Sequence, residues 1–367
     1  MSRVPHVLVG LSGGLDSAFT AYLLKKEGYD VDGIHFSNGL DTLSGKRCFP
    51  EESKSFSPDK IGTETVADET IAQIDTLSKF LDIEVQYMNT KAQFEALLTA
   101  VDIEMCNMQT PNICVMCARD IKFGFVLQYA LSHGYNYLAT GHYVRIEHNE
   151  QNTHIMKGID ETRDQSYGFG VIPLNSLKHV LTPLGNYIKT DIRKIADDIG
   201  LPYINKESRG LCFTHEPFNK FYQDYTTHFM TKGKLIVSGH PECSMEHNGQ
   251  QLYVRGQKAT VGKYQYVVNK KLPNGDIIIS PRSDVCENII KIKSLNFIVD
   301  FDEINMGLRH QLLIRYNGEL VDCVIDVLTI NDAIIRTGKP VLAPIPGQIG
   351  TIYLGDQVIF GGFIYLD

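Results

Sequence analysis

No stretch of this 367-residue chain stays apolar for the roughly 18–20 residues that a helix needs to cross a bilayer. The short apolar start, Val7-Leu8-Val9, runs straight into glycines without a small-residue cleavage site. No secretory signal and no membrane association are expected, and the cytoplasm is the expected location. Positive charge is in short supply: 35 Lys and Arg against 43 Asp and Glu leave a formal charge of −8. That argues against indiscriminate coating of nucleic acid but leaves room for a local basic stripe. Internal repeats and low-complexity tracts are missing. With 43% hydrophobic and 21% charged residues, 31 glycines and 14 prolines, the composition excludes collagen-like, coiled-coil and wholly disordered chains. Eight cysteines in a chain this long do not make a secreted disulfide framework; their spacing points to metal or catalytic chemistry.

The length predicts more than one domain. Over the first two hundred residues, short apolar runs alternate with amphipathic stretches, the pattern of a parallel α/β sheet. Strands are predicted at His6–Leu11, Val31–Phe36, 83–88 and 136–140, and helices at Ser17–Lys26, 66–81, 91–107, 118–132 and Thr190–Gly200. The stretch from Asp41 to about Thr65, with Pro50 and Pro58, reads as a long mobile excursion. After Cys212 short β-branched segments take over. Pro273-Asn274-Gly275-Asp276 is a hairpin turn between Tyr264–Val268 and Ile277–Ser280, and Leu320–Leu328 alternates with period two. Gly355-Asp356 makes a tight turn before a last strand. The expected division is a catalytic α/β domain over 1–208, a small central domain over 209–285 and a C-terminal β-barrel over 286–367.

The sharpest motif is Ser12-Gly13-Gly14-Leu15-Asp16-Ser17, directly after the first strand and opening the first helix. Glycines let backbone approach an anion closely, and a helix N-terminus presents free N–H groups. Ser12 and Ser17 add hydroxyls, and Asp16 could hold Mg²⁺ against phosphates. The Lys-Ser/Thr ending of a Walker A loop is absent, so γ-phosphate transfer is not indicated.

This Ser-Gly-Gly-x-Asp-Ser run resembles the PP-loop of ATP pyrophosphatases, which cleave ATP between the α- and β-phosphates and adenylate a substrate. Thr110-Pro111-Asn112-Ile113-Cys114-Val115-Met116-Cys117, Ala139-Thr140-Gly141-His142-Tyr143, Asp164-Gln165-Ser166-Tyr167 and Ser208-Arg209-Gly210-Leu211-Cys212-Phe213 narrow the resemblance. So do Glu246-His247-Asn248-Gly249, Arg255-Gly256-Gln257-Lys258, Arg315-Tyr316 and Pro346-Gly347-Gln348. Together they are similar to the tRNA-specific 2-thiouridylases of the MnmA type, over nearly the whole chain. The resemblance implies a tRNA-uridine 2-sulfurtransferase that replaces the 2-oxygen of the wobble uridine by sulfur, using ATP and Mg²⁺. It implies ATP binding by Gly10, Leu11, Ser12, Gly13, Gly14, Leu15, Asp16 and Ser17, with Phe36 and Gly141 completing the pocket. Cys117 matches the catalytic cysteine and Cys212 the persulfide carrier. Asn112, Ile113 and Cys114 match the stretch that meets the target base, and Arg163, Asp164, Gln165, Arg315 and Tyr316 match tRNA-contacting positions.

Such chemistry needs a soft nucleophile at a carbon whose oxygen has been made a leaving group, and a cysteine persulfide supplies one. A cysteine at a helix N-terminus, where Cys117 is expected, has a lowered thiol pKa. The family pattern Asn-Pro-Asp-x-x-Cys reads here Asn112-Ile113-Cys114-Val115-Met116-Cys117, so the aspartate has become a third cysteine. Cys114, Cys117 and Cys212 as three ligands with one open corner suit a [4Fe–4S] cluster; a structural zinc site usually shows four ligands. A persulfide pathway with Cys114 as a third redox thiol is the alternative. The sulfur donor is either a cysteine desulfurase, acting directly or through a relay protein, or free sulfide.

Cys48, Cys106, Cys243, Cys286 and Cys323 read as bystanders, Cys323 on the apolar face of a strand. From Gln251 to Lys271 five basic residues (Arg255, Lys258, Lys263, Lys270, Lys271) interleave with Tyr253, Tyr264 and Tyr266, and no acidic residue interrupts them. That is a phosphate-tracking surface with stacking groups, or else a solvated hairpin face. His142 reads either as a general acid/base or phosphate ligand, or as structural. Two further functions fit the loop: an AMP-forming ligase or amidotransferase on a small substrate, and a non-catalytic RNA-binding paralogue.

Overall fold

A computed structural model of the protein describes residues 4–38, 66, 68–149, 152–205, 211–212, 217–225 and 230–366. The Asp41–Thr65 excursion with Cys48, and Ser208–Gly210 ahead of Cys212, lie outside the described residues. The chain forms two compact units, one of residues 1–97 and 114–221 and one of 98–113 and 222–367.

In the first unit β1 (His6–Gly10) leads to α1 (Leu15–Lys26), followed by β2 (Asp30–Ser37), α2 (Asp68–Leu81) and β3 (Val85–Asn89). After α3 (Lys91–Cys106) come the one-turn α4 (Ile113–Met116), a π-helix over Cys117–Val126 and α5 (Leu127–Ser132). The unit continues through β4 (Tyr137–Ala139), a hairpin of β5 (Val144–His148) and β6 (Thr153–Lys157), α6 (Ser166–Phe169) and α7 (Leu174–Leu177). It then adds β7 (Val180–Leu181) and α8 (Lys189–Asp198). The five parallel strands run in the order β3-β2-β1-β4-β7, with Val9 opposite both Gly33 and Ala139. Val7, Leu8 and Val9 are fully buried, as a strand covered on both faces requires. Helix α1 buries Leu15, Ala18, Phe19, Ala21, Leu23 and Leu24, while Asp16 in its first turn and Lys25 and Lys26 in its last suit the helix dipole. The chain order reverses at β1, which puts the loops after β1 and β4 side by side at the switch point where open α/β sheets bind ligands.

The second unit contains a five-stranded sheet of β8 (Gly233–Val237), β9 (His240–His247), β10 (Lys258–Val261), β11 (Tyr264–Lys271) and β12 (Ile277–Ser280), in the order β10-β11-β12-β8-β9. Beyond it β13 (Cys286–Phe297), β14 (His310–Leu313), β15 (Val321–Leu328), β16 (Asp332–Leu342), β17 (Ile349–Leu354) and β18 (Gln357–Tyr365) pair in the order β13-β16-β15-β14-β17-β18. Pairing of β13 with β18 closes these six into a barrel. Val321, Cys323 and Ile325 point into its core while Asp322, Val324 and Asp326 face out, the predicted period-two alternation. Among the described residues no helix is long and apolar enough to cross a membrane.

One predicted element is shifted. The helix expected over 118–132 begins at Ile113, directly after Asn112, a residue type that favours N-caps. Ile113 and Val115 are buried, which draws this extra turn onto the core. Cys117 therefore lies one turn inside the helix rather than at its N-terminus.

Candidate active site

The loop after β1 is shaped by hydroxyls. Ser17 Oγ donates to the Gly14 carbonyl at 3.0 Å and accepts from the Ser12 backbone N–H at 3.1 Å, and the two serine hydroxyls lie 3.1 Å apart. Gly13 sits at φ +77°, where a side chain would be strained, and its carbonyl accepts from the Ile204 N–H at 2.9 Å. This holds the loop open at the N-terminus of α1. Leu11 and Leu15 anchor it in the core, while Ser12 is exposed. Phe36, half-buried at the end of β2, has a ring carbon 3.4 Å from the position a Gly10 Cβ would take.

From the other side of the switch point comes Gly141. A Cβ there would stand 2.9 Å from the Asp16 carbonyl carbon and Cβ, so only glycine lets the post-β4 loop approach α1 this closely. Asp16 Oδ1 accepts from the Tyr143 hydroxyl at 2.7 Å and forms an ion pair with Lys189 at the start of α8. The Lys189 ammonium also lies 5.8 Å from the Tyr143 ring centre. Burial, and then the Asp16 charge, raises the Tyr143 phenol far above its ordinary range, so it remains a donor. Lys189 and Tyr143 were not assigned from sequence. Lys189 belongs to no recognisable motif, and Tyr143 was visible only as the neighbour of Gly141 and His142.

Cys212 acts electrostatically on both Cys114 and Cys117, and Cys114 acts on Cys117. Burial pushes the Cys114 thiol up to about 11, with Cys212 adding to the rise and Lys122 opposing it. Burial likewise lifts Cys117 to about 11, against the Lys122 ammonium and with smaller upward contributions from Cys212, Cys114 and Asp120. The activated thiol expected for Cys117 at a helix N-terminus is thus not found: the residue lies inside the helix, and desolvation outweighs the cation. Cys114 and Cys212 nevertheless keep exposed surface. Among the described residues no three His, Cys, Asp or Glu side chains are grouped so as to hold a metal ion.

Lys122 is the third residue missed from sequence. It lies five positions after Cys117 within the π-helix, whose i→i+5 bonding shows in the Leu127 N–H donating to the Lys122 carbonyl. Such helices are rare and concentrate at functional sites. Its cation also reaches His142, whose imidazole is driven well below its usual pKa, first by burial and then by Lys122. His142 lies 2.8 Å from Thr140 Oγ1 through Nδ1 and packs against Phe123 and Phe169, with ring centres 5.7 and 5.5 Å away. The imidazole is therefore neutral.

The residues expected to meet tRNA carry internal bonds. In the first unit Asp164 accepts from the Gly158 N–H at 2.8 Å, the Ser166 N–H at 3.1 Å and the Ser166 hydroxyl at 2.7 Å. Gln165 exchanges two bonds with the Tyr143 backbone at 2.8 and 2.9 Å, and Arg163 is half-buried beside them. In the second unit Asn112 donates to Gln348 Oε1 at 3.3 Å, and Gln348 donates to the Thr110 carbonyl at 2.7 Å. Ile113 is buried. Arg315 donates to the Leu342 and Ala343 carbonyls at 2.6 and 3.2 Å, and Tyr316 is 48% exposed.

A family model described as "tRNA methyl transferase HUP domain" matches residues 5–216, and one described as "Aminomethyltransferase beta-barrel domain" matches 287–364. The chain is 32% identical to a tRNA-specific 2-thiouridylase MnmA 1 of Caldanaerobacter subterraneus subsp. tengcongensis, over 98% of this chain and 97% of that one. It is 30% identical to a tRNA-specific 2-thiouridylase MnmA 2 of Thermoanaerobacter sp., with the same coverage of both. Identity to the tRNA-specific 2-thiouridylase MnmA of Lactiplantibacillus plantarum is also 30%, over 98% and 95% of the two chains.

Proposed function

The chain belongs to the tRNA-specific 2-thiouridylase family and is a sulfurtransferase that uses ATP to 2-thiolate tRNA; we propose that its target is the wobble uridine at position 34 and that its sulfur travels on Cys212 and Cys117. The uridine O2 attacks the α-phosphorus of ATP held on the loop Gly10–Ser17, pyrophosphate leaves, and the oxygen becomes part of an AMP leaving group. The terminal sulfur of a Cys212 persulfide then attacks C2, and AMP departs with the C–O electron pair. The Cys117 thiolate attacks Cys212 Sγ. The S–S bond breaks toward the sulfur on C2, leaving the thiocarbonyl and a Cys117–Cys212 disulfide that a dithiol reductant reopens. The Cys117 proton goes to solvent, because an imidazole held well below its usual pKa, as at His142, is a poor acceptor from a thiol at about 11. Mg²⁺, when bound, would screen the phosphates from the Asp16 side; a carboxylate there, already facing Lys189, fits a cation shared with phosphate oxygens.

The observation that carries this reading is that Cys212 acts on the protons of both Cys114 and Cys117, and Cys114 on that of Cys117, which requires the three thiols to share one neighbourhood. Cys114 takes the place of a family carboxylate and stands in this scheme as a third redox thiol. The sulfur donor is a persulfide-carrying desulfurase or relay protein, or sulfide that attacks Cys212 Sγ of the Cys117–Cys212 disulfide, with Cys117 leaving as thiolate, so that the disulfide is the oxidant that makes the persulfide; the reaction belongs in the cytoplasm. The test is anoxic incubation with ATP, Mg²⁺, sulfide or a persulfide donor, and unmodified tRNA, read by mass spectrometry of nucleosides. We expect 2-thiouridine at position 34, abolished in Cys117→Ser and Cys212→Ser, from protein without iron. Thiolation that depends on about four irons per chain would replace the persulfide pathway by a cluster held on the three cysteines. No thiouridine under any of these conditions would overturn the reading.

A further inference from the structure

The second unit holds a cavity of about 570 Å³ that the thiolation chemistry leaves unused. Among the described residues its wall carries four basic residues, Arg255, Lys270, Lys271 and Lys291, against one acidic residue, Glu287. In a chain of net charge −8, this concentration of positive charge runs against the composition. Glu287 does not balance it, because it accepts from Arg255 at 2.6 Å and is thereby neutralised as a pair. The rest of the Arg255 guanidinium donates to the Asn269 carbonyl at 3.0 Å and the Pro344 carbonyl at 2.9 Å, which fixes it as a rigid wall.

Lys271 is the unusual member. Its Nζ is shielded from solvent and has no hydrogen-bond partner among the described residues. Burial depresses its pKa to about 8, and no anion among the described residues offsets that fall. A buried unpartnered ammonium is costly, and folded chains keep few of them unless something binds there. The backbone is shaped for this placement. A β-bulge at Asn269 shifts the register of β11 against β12 between Val268 and Lys270, re-aiming the two lysines that follow. The cavity is also lined by Asn107–Thr110, the segment that leads along the chain to Asn112 and Cys114.

We infer that this cavity is a phosphate site, and that the phosphate it takes belongs to the backbone of the tRNA, with Lys271 as the cation that meets it. The inference rests on the tRNA reading above and names a contact which that reading does not supply. Its volume exceeds what a bare phosphate fills and suits one nucleotide of a strand. A lysine with no internal partner gives up no protein bond when a phosphodiester arrives, and the incoming charge favours its protonated form.

The test is tRNA binding from about 50 to 200 mM salt by wild type, Lys271→Met and Lys271→Arg, with melting curves for each. For Lys271→Met we expect roughly three- to tenfold weaker binding and a log–log salt slope shallower by about one, the signature of one lost phosphate contact. Its melting temperature should be no lower, since removing a buried unpaired charge costs the fold nothing. Lys271→Arg should recover the slope. Unchanged affinity and slope in Lys271→Met, beside a wild type that binds tRNA, would overturn the inference and leave the tRNA reading standing. A wild type that binds no tRNA would overturn both. In a second arm, inorganic phosphate is titrated while the lysine ε-carbon resonances are followed. A Lys271 shift with phosphate, together with unchanged tRNA binding, would assign the cavity to a free anion and overturn its assignment to tRNA.

Discussion

Cys114 and Cys117 hold their protons at neutral pH because burial outweighs the Lys122 cation. With both thiols at about 11, roughly one molecule in a thousand or fewer carries the thiolate at pH 7.5. In the tRNA-free protein, alkylation of Cys117 by iodoacetamide should rise about tenfold per pH unit until it levels near 11; levelling below pH 9 would contradict the buried-thiol account. Lys122 offers a second check on the same group. Its cation favours thiolate at both cysteines and disfavours imidazolium at His142. Lys122→Met should therefore slow alkylation a few-fold at any pH below the plateau and raise the His142 pKa in proton NMR. A substitution that merely loosened the helix would expose the thiols and speed alkylation instead.

Elements decide what Gly13, Asp16 and Gly141 can do together. Strand β1 and helix α1 were legible because Val7-Leu8-Val9 and Ser12–Ser17 carry both their own propensities and the turn chemistry that joins them. Gly141 was legible only through its motif; its physical reason, a clash with the backbone of Asp16, is tertiary and has no local signature. The same limit explains the π-helix. Nothing in Cys117–Val126 separates five-residue from four-residue bonding by pattern, so the sequence predicted a later and ordinary helix. Gly141→Ala tests the element contact. A methyl 2.9 Å from Asp16 main-chain carbon must push α1 away from the loop after β4. We expect a KM for ATP raised by roughly tenfold or more, a loss of about 1.4 kcal/mol, with tRNA affinity unchanged. An unaltered KM would mean that this approach does not shape the nucleotide pocket.

Across the whole molecule, charge is segregated more sharply than the total of −8 suggests. Residues 230–285 contain eight Lys and Arg and four Asp and Glu, so this stretch is positive within an acidic chain. The basic run Gln251–Lys271 was visible in the sequence, but its two destinations were not. Arg255, Lys270 and Lys271 line the cavity, the two lysines directly after the bulge at Asn269 and Arg255 held by the Asn269 and Pro344 carbonyls, while Lys258 stays on the exposed side of β10. Lys234 on β8 is likewise exposed. An acidic enzyme with one positive sheet should attract RNA in a single orientation, since the remaining surface repels phosphate. Reversing exposed charges on that sheet should therefore slow encounter without touching chemistry. For Lys234→Glu with Lys258→Glu we expect kcat/KM for tRNA to fall roughly tenfold at about 50 mM salt, and the gap to close toward 0.5 M as screening shortens the field. The KM for ATP should not move. A deficit that persists at high salt would mean that the two lysines make close contacts rather than steer, and an absent deficit would place the RNA on another face.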